Sequence, residues 1–262
     1  MPRSIWSGAI SFGLVNVPVK VFSAVSPKDV RFHQIDSRTQ ARVKQKRVSS
    51  ATGEEVPYES IVKGYELSPD RFVMISPEEL EALDPKSTKS IDIEDFVDLD
   101  QIDPIYYERP YYLVPDKGGA KAYALLRSAM RETNKVGIAR LVLRTKQYLA
   151  AIRPVGDALV LETLLYPDEV VPVEELDLPP DSMDVTEREE KMARQLIDSL
   201  TTDFDPSRYK DNYRERVLDL IEQKASGQEI VVEESAEEAP RVVDLMAALE
   251  ASLAAVKAGK DK

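Results

Sequence analysis

The chain has 262 residues, 43% hydrophobic and 31% charged, with 47 acidic against 35 basic side chains and a formal net charge of −12. That length allows one large domain or two small ones, either able to bury a core. The absence of cysteine excludes disulfides and thiolate metal sites, and no apolar run reaches the roughly 20 residues of a membrane-spanning helix. The N-terminal MPRSIWSGAIS lacks the apolar core of a secretory signal, so a cytoplasmic protein is expected.

In chain order, GAISFGLVNVPVKVFSAV alternates through Ile10, Phe12 and Leu14, then slips parity to Val15, Val17, Val19 and Val21. A mid-run slip predicts a bulge or a bend between two strands. Gly8 and Gly13 have P-loop spacing, but Leu14 and Val15 stand where Lys and Ser/Thr are required, so they are structural glycines. Further on, a turn at Pro69–Asp70 precedes a strand through Phe72, Met74 and Ile75. Ser76-Pro-Glu-Glu then opens a short helix with an N-cap, proline at N1 and acids in the first turn. Residues 90–115 alternate acids with Ile91, Ile93, Val97 and Leu99 and read as strands with a negative outer face. GGAKAYALLRSAMRETNKVG is helical, with Leu126, Ala129 and Met130 inward and Arg127, Arg131 and Lys135 stacked at i, i+4, i+8.

GIARLVLRTKQYLAAIRP reads as one strand, turned at Pro154–Asp157 into a hairpin with ALVLETLLY. Thr186-x-x-Glu189 is a capping box ahead of Met192, Ala193, Leu196, Ile197 and Leu200 at helical spacing. A second helix carries Tyr209, Tyr213, Val217, Leu220 and Ile221 and stops at Gly227. QEIVVEESAEEAP has the composition of an acidic, flexible linker. Beyond it, Val242, Leu245, Met246, Leu249, Leu253 and Val256 form an apolar stripe. A helix beyond a flexible linker cannot bury such a stripe alone; it either docks on the body or enters a partner's groove.

Charge along this chain is sorted. Residues 1–50 hold nine basic and two acidic side chains, a net of +7; residues 51–115 hold five and sixteen, −11; residues 116–155 hold nine and two, +7; the remainder holds twelve and twenty-seven, −15. The first basic segment contains RTQARVKQKR, residues 38–47, with Arg38, Arg42, Lys44, Lys46 and Arg47 and no acid. Arg38, Arg42, Lys44 and Lys46 share one parity and would face one way from an extended strand. In the second, Arg140, Arg144 and Lys146 share one parity while Leu141, Leu143 and Leu149 share the other. Alternate strand residues lie about 6.8 Å apart, comparable in scale with the roughly 3.4 Å per nucleotide of a DNA strand. The two readings are a solvated strand face, such as a lysine-guarded edge, and a grip on a polyanion.

Catalytic sets are hard to assemble. The only histidine is His33, without a G-x-S-x-G elbow or a second histidine for a metal pair. The acids from Asp92 to Asp103 allow a Mg²⁺-dependent nuclease as an alternative, but their spacing fixes no ligand geometry and a solvated negative face is the better account of them. No enzyme is expected, and no cofactor or metal is implied.

Four segments, SIWSGAISFGLVNVPVKVFSA, EEVPYESIVKGYEL, KVGIARLVLRTKQYLAAIRP and LVLETLLYPDEV, occur in this order and resemble bacterial Ku, the DNA-end-binding protein of non-homologous end joining, over about Arg3 to Gly227. VVDLMAALEASLAAVK resembles the family's C-terminal segment. The resemblance implies an α+β fold: a Ku core with a central β-barrel, DNA-encircling bridge strands and a helical C-terminal region, in a ring-shaped homodimer. It implies sequence-independent binding of double-stranded DNA ends, their protection, and recruitment of the ATP-dependent DNA ligase D. The domains implied are a barrel core with cradle and bridge strands over 1–185, a helical dimerisation arm over 186–227, the acidic linker over 228–241 and a ligase-recruiting amphipathic helix over 242–262.

By the same resemblance the DNA-binding residues are Arg3 at the inner edge of the ring, Arg38, Arg42, Lys44, Lys46 and Arg47 on the cradle, and Arg140, Arg144 and Lys146 on the bridge. The ligase would dock on Leu245, Met246, Leu249 and Leu253. Two departures matter: Ser49 and Ser50 stand where some relatives carry cysteines, so no metal is implied, and the chain ends after Lys257, Lys260 and Lys262 rather than in a long lysine-rich tail, so a weak tail effect on DNA is expected. A ring needs positive charge only on its inner wall, which reconciles a basic run with an acidic whole. The remaining alternative is a dimeric scaffold that does not bind DNA.

Overall fold

The computed structural model describes residues 3–83, 89–143, 146–180, 185–227 and 245–260. The parity slip at Gly13 is where the chain reverses. Strand β1 (Trp6–Phe12) and strand β2 (Val15–Ser23) pair antiparallel from Trp6↔Val21 to Phe12↔Val15. Gly13, at φ 57°, supplies the left-handed residue of the turn. Val17, Val19 and Val21 point inward and are fully buried, as the period-2 pattern requires.

Two further strands, β3 (Lys63–Ser68) and β4 (Arg71–Ile75), make a separate two-stranded sheet whose turn holds Asp70 at φ 61°. Helix α1 (Pro77–Leu83) follows, closed at its start by a reciprocal pair: the Glu79 N–H donates to Ser76 Oγ at 3.1 Å, and the Ser76 N–H donates to Glu79 Oε2 at 2.8 Å.

The other strands are β5 (Ser90–Asp98), β6 (Tyr107–Pro115), β7 (Lys135–Leu143), β8 (Lys146–Val155) and β9 (Ala158–Leu164). With the first pair they close a seven-stranded barrel in the order β1-β2-β6-β9-β8-β7-β5. Every ladder is antiparallel except the one that closes the barrel, β1 with β5, through Ala9↔Ser90, Ile10↔Ile91 and Ser11↔Asp92. Gly8 makes this closure possible, since a Cβ there would lie 2.1 Å from the Lys89 carbonyl oxygen. The fold is α+β, as expected.

Helix α2 (Ala120–Thr133) packs on β2, β7 and β8 and sends Tyr123, Leu126 and Met130 into the core with Ile10, Ile91, Leu113 and Ile152. Each fully buried aliphatic of this kind contributes about 1.5–3 kcal/mol. Ala129, expected inward, is exposed beside them. The Tyr123 hydroxyl donates to the Leu113 carbonyl at 2.7 Å and accepts from the Leu159 N–H at 2.6 Å, joining β6 to β9 where their ladder ends. Asn134, at φ 53°, ends the helix and turns the chain directly into β7.

By internal contacts the chain divides into two units, residues 1–28 with 33–175 and residues 29–32 with 176–262. In the second, helix α3 (Glu187–Leu200) begins at the predicted capping box, with the Glu189 N–H donating to Thr186 Oγ1. Helix α4 (Asn212–Ala225) starts at Asp211, whose carboxylate accepts from the Arg214 N–H at 2.9 Å, and leaves Leu218, Leu220 and Ile221 exposed. Helix α5 (Leu245–Lys260) packs against α3, its Leu253 only 8% exposed and Met246, Leu249 and Val256 half-buried. Of the two fates open to the C-terminal stripe, docking on its own chain is the one observed. The acidic linker, 228–241, lies outside the described residues. Among the described residues no helix is long and apolar enough to cross a membrane.

Candidate nucleic-acid interface

The basic run 38–47 is not a strand. The chain reverses over 37–39, with Gln40 at φ 56°, so that 34–36 lies against 41–43 through Asp36 N–H to Ala41 O and Val43 N–H to Gln34 O. It reverses again so that 47–49 lies against 54–56, with Gly53 at φ 71° in the turn. Only the two isolated bridges Ile35↔Arg42 and Val48↔Glu55 satisfy ladder geometry. The single-parity expectation therefore fails for Arg38, which sits in the first turn. The turn-rich SSATG (Ser49 to Gly53) is the signal that could have revealed the second reversal.

These reversals decide which cations are paired. Arg38 Nε meets Asp36 Oδ1 at 3.2 Å, and Lys46 Nζ meets Glu55 Oε2 at 2.6 Å. The hydrogen bonds from Arg38 hold the Asp36 carboxyl below the ordinary carboxylate value. The Arg47 guanidinium lies over the Tyr58 ring, 5.4 Å from its centroid. Arg42 and Lys44 are exposed and have no side-chain partner among the described residues. Arg3, just before β1, is likewise exposed.

The second basic run is corrected more sharply. What reads as one strand is the hairpin of β7 and β8, with Leu143 opposite Lys146 and Arg140 opposite Leu149. Cross-strand partners face the same side, so like parity on the two strands means opposite faces. Arg140 shares the face of Ile138 and Leu149, whereas Lys146 shares that of Leu141, Leu143 and Tyr148. Arg140 Nε lies 3.4 Å from Glu94 Oε1. Lys146 lies 3.5 Å from Glu169 Oε1 and over the Tyr148 ring at 5.2 Å. The Glu169 carboxyl is held low first by the Tyr166 N–H and then by Lys146. Arg144 lies outside the described residues. The stacked helix cations are used internally: Arg127 and Arg131 donate to the carbonyls of Asp157 and Gly156, clamping the β8–β9 turn.

Four of the six acids from Asp92 to Asp103 have partners of their own. Asp92 accepts from the Ser90 hydroxyl, Glu94 pairs with Arg140, Asp98 meets Lys135 at 2.6 Å, and Asp103 accepts from the Ile105 N–H. Among the described residues no group of three or more His, Asp or Glu could hold a metal ion. Of the C-terminal stripe, Leu245 is exposed, while Met246, Leu249 and Leu253 face α3, with an Arg188–Glu250 ion pair at 3.1 Å beside them.

A family model described as the Ku70/Ku80 beta-barrel domain matches residues 11–194, from the end of β1 through the other barrel strands and into α3. The chain belongs to the Ku family. Its relatives extend the match over almost all its length. The non-homologous end joining protein Ku of Anaeromyxobacter sp. (strain K) is 50% identical, over 100% of this chain and 88% of the relative. Those of Heliobacterium modesticaldum and Pseudomonas aeruginosa are 46% and 43% identical, over 99% and 100% of this chain and 94% and 92% of the relatives. The closed barrel with α2 packed against it is thus the Ku barrel, and the basic segment 34–56 is an insertion between its second and fifth strands.

Proposed function

We propose that this Ku-family chain binds double-stranded DNA ends without regard to sequence in non-homologous end joining, as a homodimeric ring, and is not an enzyme. The observation that carries the reading is the pair Arg42 and Lys44, exposed and without a carboxylate partner among the described residues in a chain of net charge −12. Cations left without a partner in so acidic a protein suit a polyanion, and phosphate contacts carry affinity without sequence information. Of the paired cations, Arg38 and Lys46 can join them, because exposed ion pairs are worth at most about 1 kcal/mol and exchange readily for phosphate; Arg140 and Lys146 stand on opposite faces of the β7–β8 hairpin, so one of the two can do so there. Arg3, Arg47 and Arg144 complete the proposed inner wall.

The β3–β4 sheet supports the dimer. Every residue of it is exposed except half-buried Ile75, and it presents Tyr65, Leu67, Phe72 and Met74 to solvent. An isolated two-stranded sheet is marginal in water, so a second copy is the natural cover, with the arm over 186–227 clasping it. Recruitment of the ATP-dependent ligase D through Leu245, Met246, Leu249 and Leu253 belongs to the same reading, and it requires the stripe to leave α3. The test is binding at physiological salt to a linear duplex and to the same duplex closed into a covalent circle. Tight binding to the linear form with little to the circle is expected; equal binding would refute threading from an end.

A further inference from the structure

The second chain reversal brings Tyr58, eleven residues downstream, onto the basic run, where neither composition nor parity places an aromatic. The ring is 77% exposed, although tyrosine carries a large apolar body that folding ordinarily covers. Beside it opens a cavity of about 460 Å³ walled by Arg47, Tyr58, Lys46, Glu55, Gln45 and Pro57. That volume lies within the roughly 300–1,000 Å³ of small-ligand clefts. Its walls are of three kinds: an apolar face of Tyr58, Pro57 and Val56, two cations, and two side chains able to accept hydrogen bonds.

This is the inventory of a site for an unstacked nucleotide. Proteins that hold single strands combine a cationic groove for the backbone with aromatic side chains on which bases stack, and arginine adds a planar cation. The Arg47 guanidinium already lies over the Tyr58 ring, 5.4 Å from its centroid, so cation and aromatic stand together before any ligand arrives. In the free protein the Lys46–Glu55 pair at 2.6 Å masks the carboxylate that would otherwise repel an approaching phosphate. It also leaves Glu55 and Gln45 at the cavity wall for the edge of a base.

The geometry points to a stacking site at Tyr58 for a nucleotide of a single-stranded overhang, so that the protein grips a ragged DNA end at two places, duplex phosphates and an overhang base. The inference rests on the DNA-end reading and deepens it. A blunt duplex has no unpaired base to offer this site, so the two engagements are separable.

The experiment compares one duplex, blunt and with a short single-stranded dT overhang, for the unaltered chain, Tyr58→Ala and Tyr58→Phe. One stacked base is worth about 5-fold to 150-fold in affinity. The unaltered chain and Tyr58→Phe should therefore favour the overhang by at least about 5-fold. Tyr58→Ala should lose that preference and keep its blunt-duplex affinity. Equal affinity of the unaltered chain for both duplexes overturns the site, and so does an equal loss on both duplexes in Tyr58→Ala. A free dT oligonucleotide separates this inference from the one beneath it. If blunt linear and circular duplexes bind alike, the DNA-end reading fails; Tyr58-dependent binding of the oligonucleotide then still supports the site, and its absence overturns both. An overhang carrying 5-iododeoxyuridine should photocross-link to the peptide containing Tyr58, and cross-linking confined to other peptides counts against it.

Discussion

Changing Arg42 and Lys44 together to alanine should flatten the salt dependence of DNA binding far more than changing Arg38 and Lys46. Among the described residues both side chains of the first pair lack a carboxylate partner, so each phosphate they neutralise releases condensed counterion with nothing to offset it. A dimer presents two copies of each, hence four contacts. At about 0.9 per phosphate these four contribute about 3.6 to the slope of log K against log salt. Over a fourfold rise in salt, about 0.6 decade, that is about two decades of affinity which the double variant should no longer lose. Arg38 and Lys46 behave differently because phosphate must displace Asp36 and Glu55, whose freed carboxylates then gather cations from solution. Their removal should change the slope by less than about 1 per pair of copies. The assay is fluorescence anisotropy of a linear duplex from 50 to 300 mM KCl, with slopes compared at matched protein concentration. A slope change below about 1 for Arg42→Ala/Lys44→Ala, or equal changes for the two double variants, would refute the assignment of the unpartnered cations to phosphate.

Further predictions concern the framework. Tyr123→Phe removes the hydroxyl that serves both the Leu113 carbonyl and the Leu159 N–H. Two buried backbone groups left unpaired should cost about 2–4 kcal/mol in urea unfolding, and a loss under about 0.5 kcal/mol would mean that the ladder repairs itself. Leu253→Asp puts a charge where α5 meets α3, so amide exchange in α5 should rise to that of a detached helix while the barrel is unaffected. Arg188→Glu, which breaks only an exposed pair, should leave α5 protected. The Asp116 carboxyl is held below its ordinary value of 3.8, chiefly by the Lys20 ammonium and then by the Lys117 N–H. Its contribution to stability is therefore complete above that value and fades as pH falls through the lower folded one. Melting temperatures of Asp116→Asn and the unaltered chain should differ above about pH 5 and converge as pH falls through the lowered folded value.

Local signals carried much of this fold. The slip at Gly13, the capping boxes at Ser76 and Thr186, the turn at Asp70 and the hairpin at Gly156 each rest on a few neighbouring residues, and each stands where those residues place it. What failed depended on pairing across distance. LVLRTKQYL has no glycine, proline or asparagine, so its apolar alternation runs unbroken past the reversal between β7 and β8, and counting parity through that reversal put Arg140 and Lys146 on one face. Of the counter-ions of the basic run, Asp36 stands two residues from Arg38, but Glu55 lies eight residues beyond the run and meets Lys46 only when the chain folds back. Tyr58 reaches Arg47 for the same reason. The barrel's closure by parallel β1 and β5 joins residues some 80 positions apart, and no local pattern announces it.

That closure has a mechanical consequence. Everything between β2 and β5, including the basic segment and the β3–β4 sheet, leaves the barrel at Ser23 and returns at Ser90, and both strands flank β1. The β1–β5 ladder has three registered pairs where every other barrel ladder has at least five. A force that draws the insertion away from the barrel is therefore borne first by the shortest seam, with the Ala9 N–H to Lys89 carbonyl bond at 3.0 Å at its end. The insertion hangs from the place where the barrel is easiest to unzip, so a load on it and the opening of the barrel are one event.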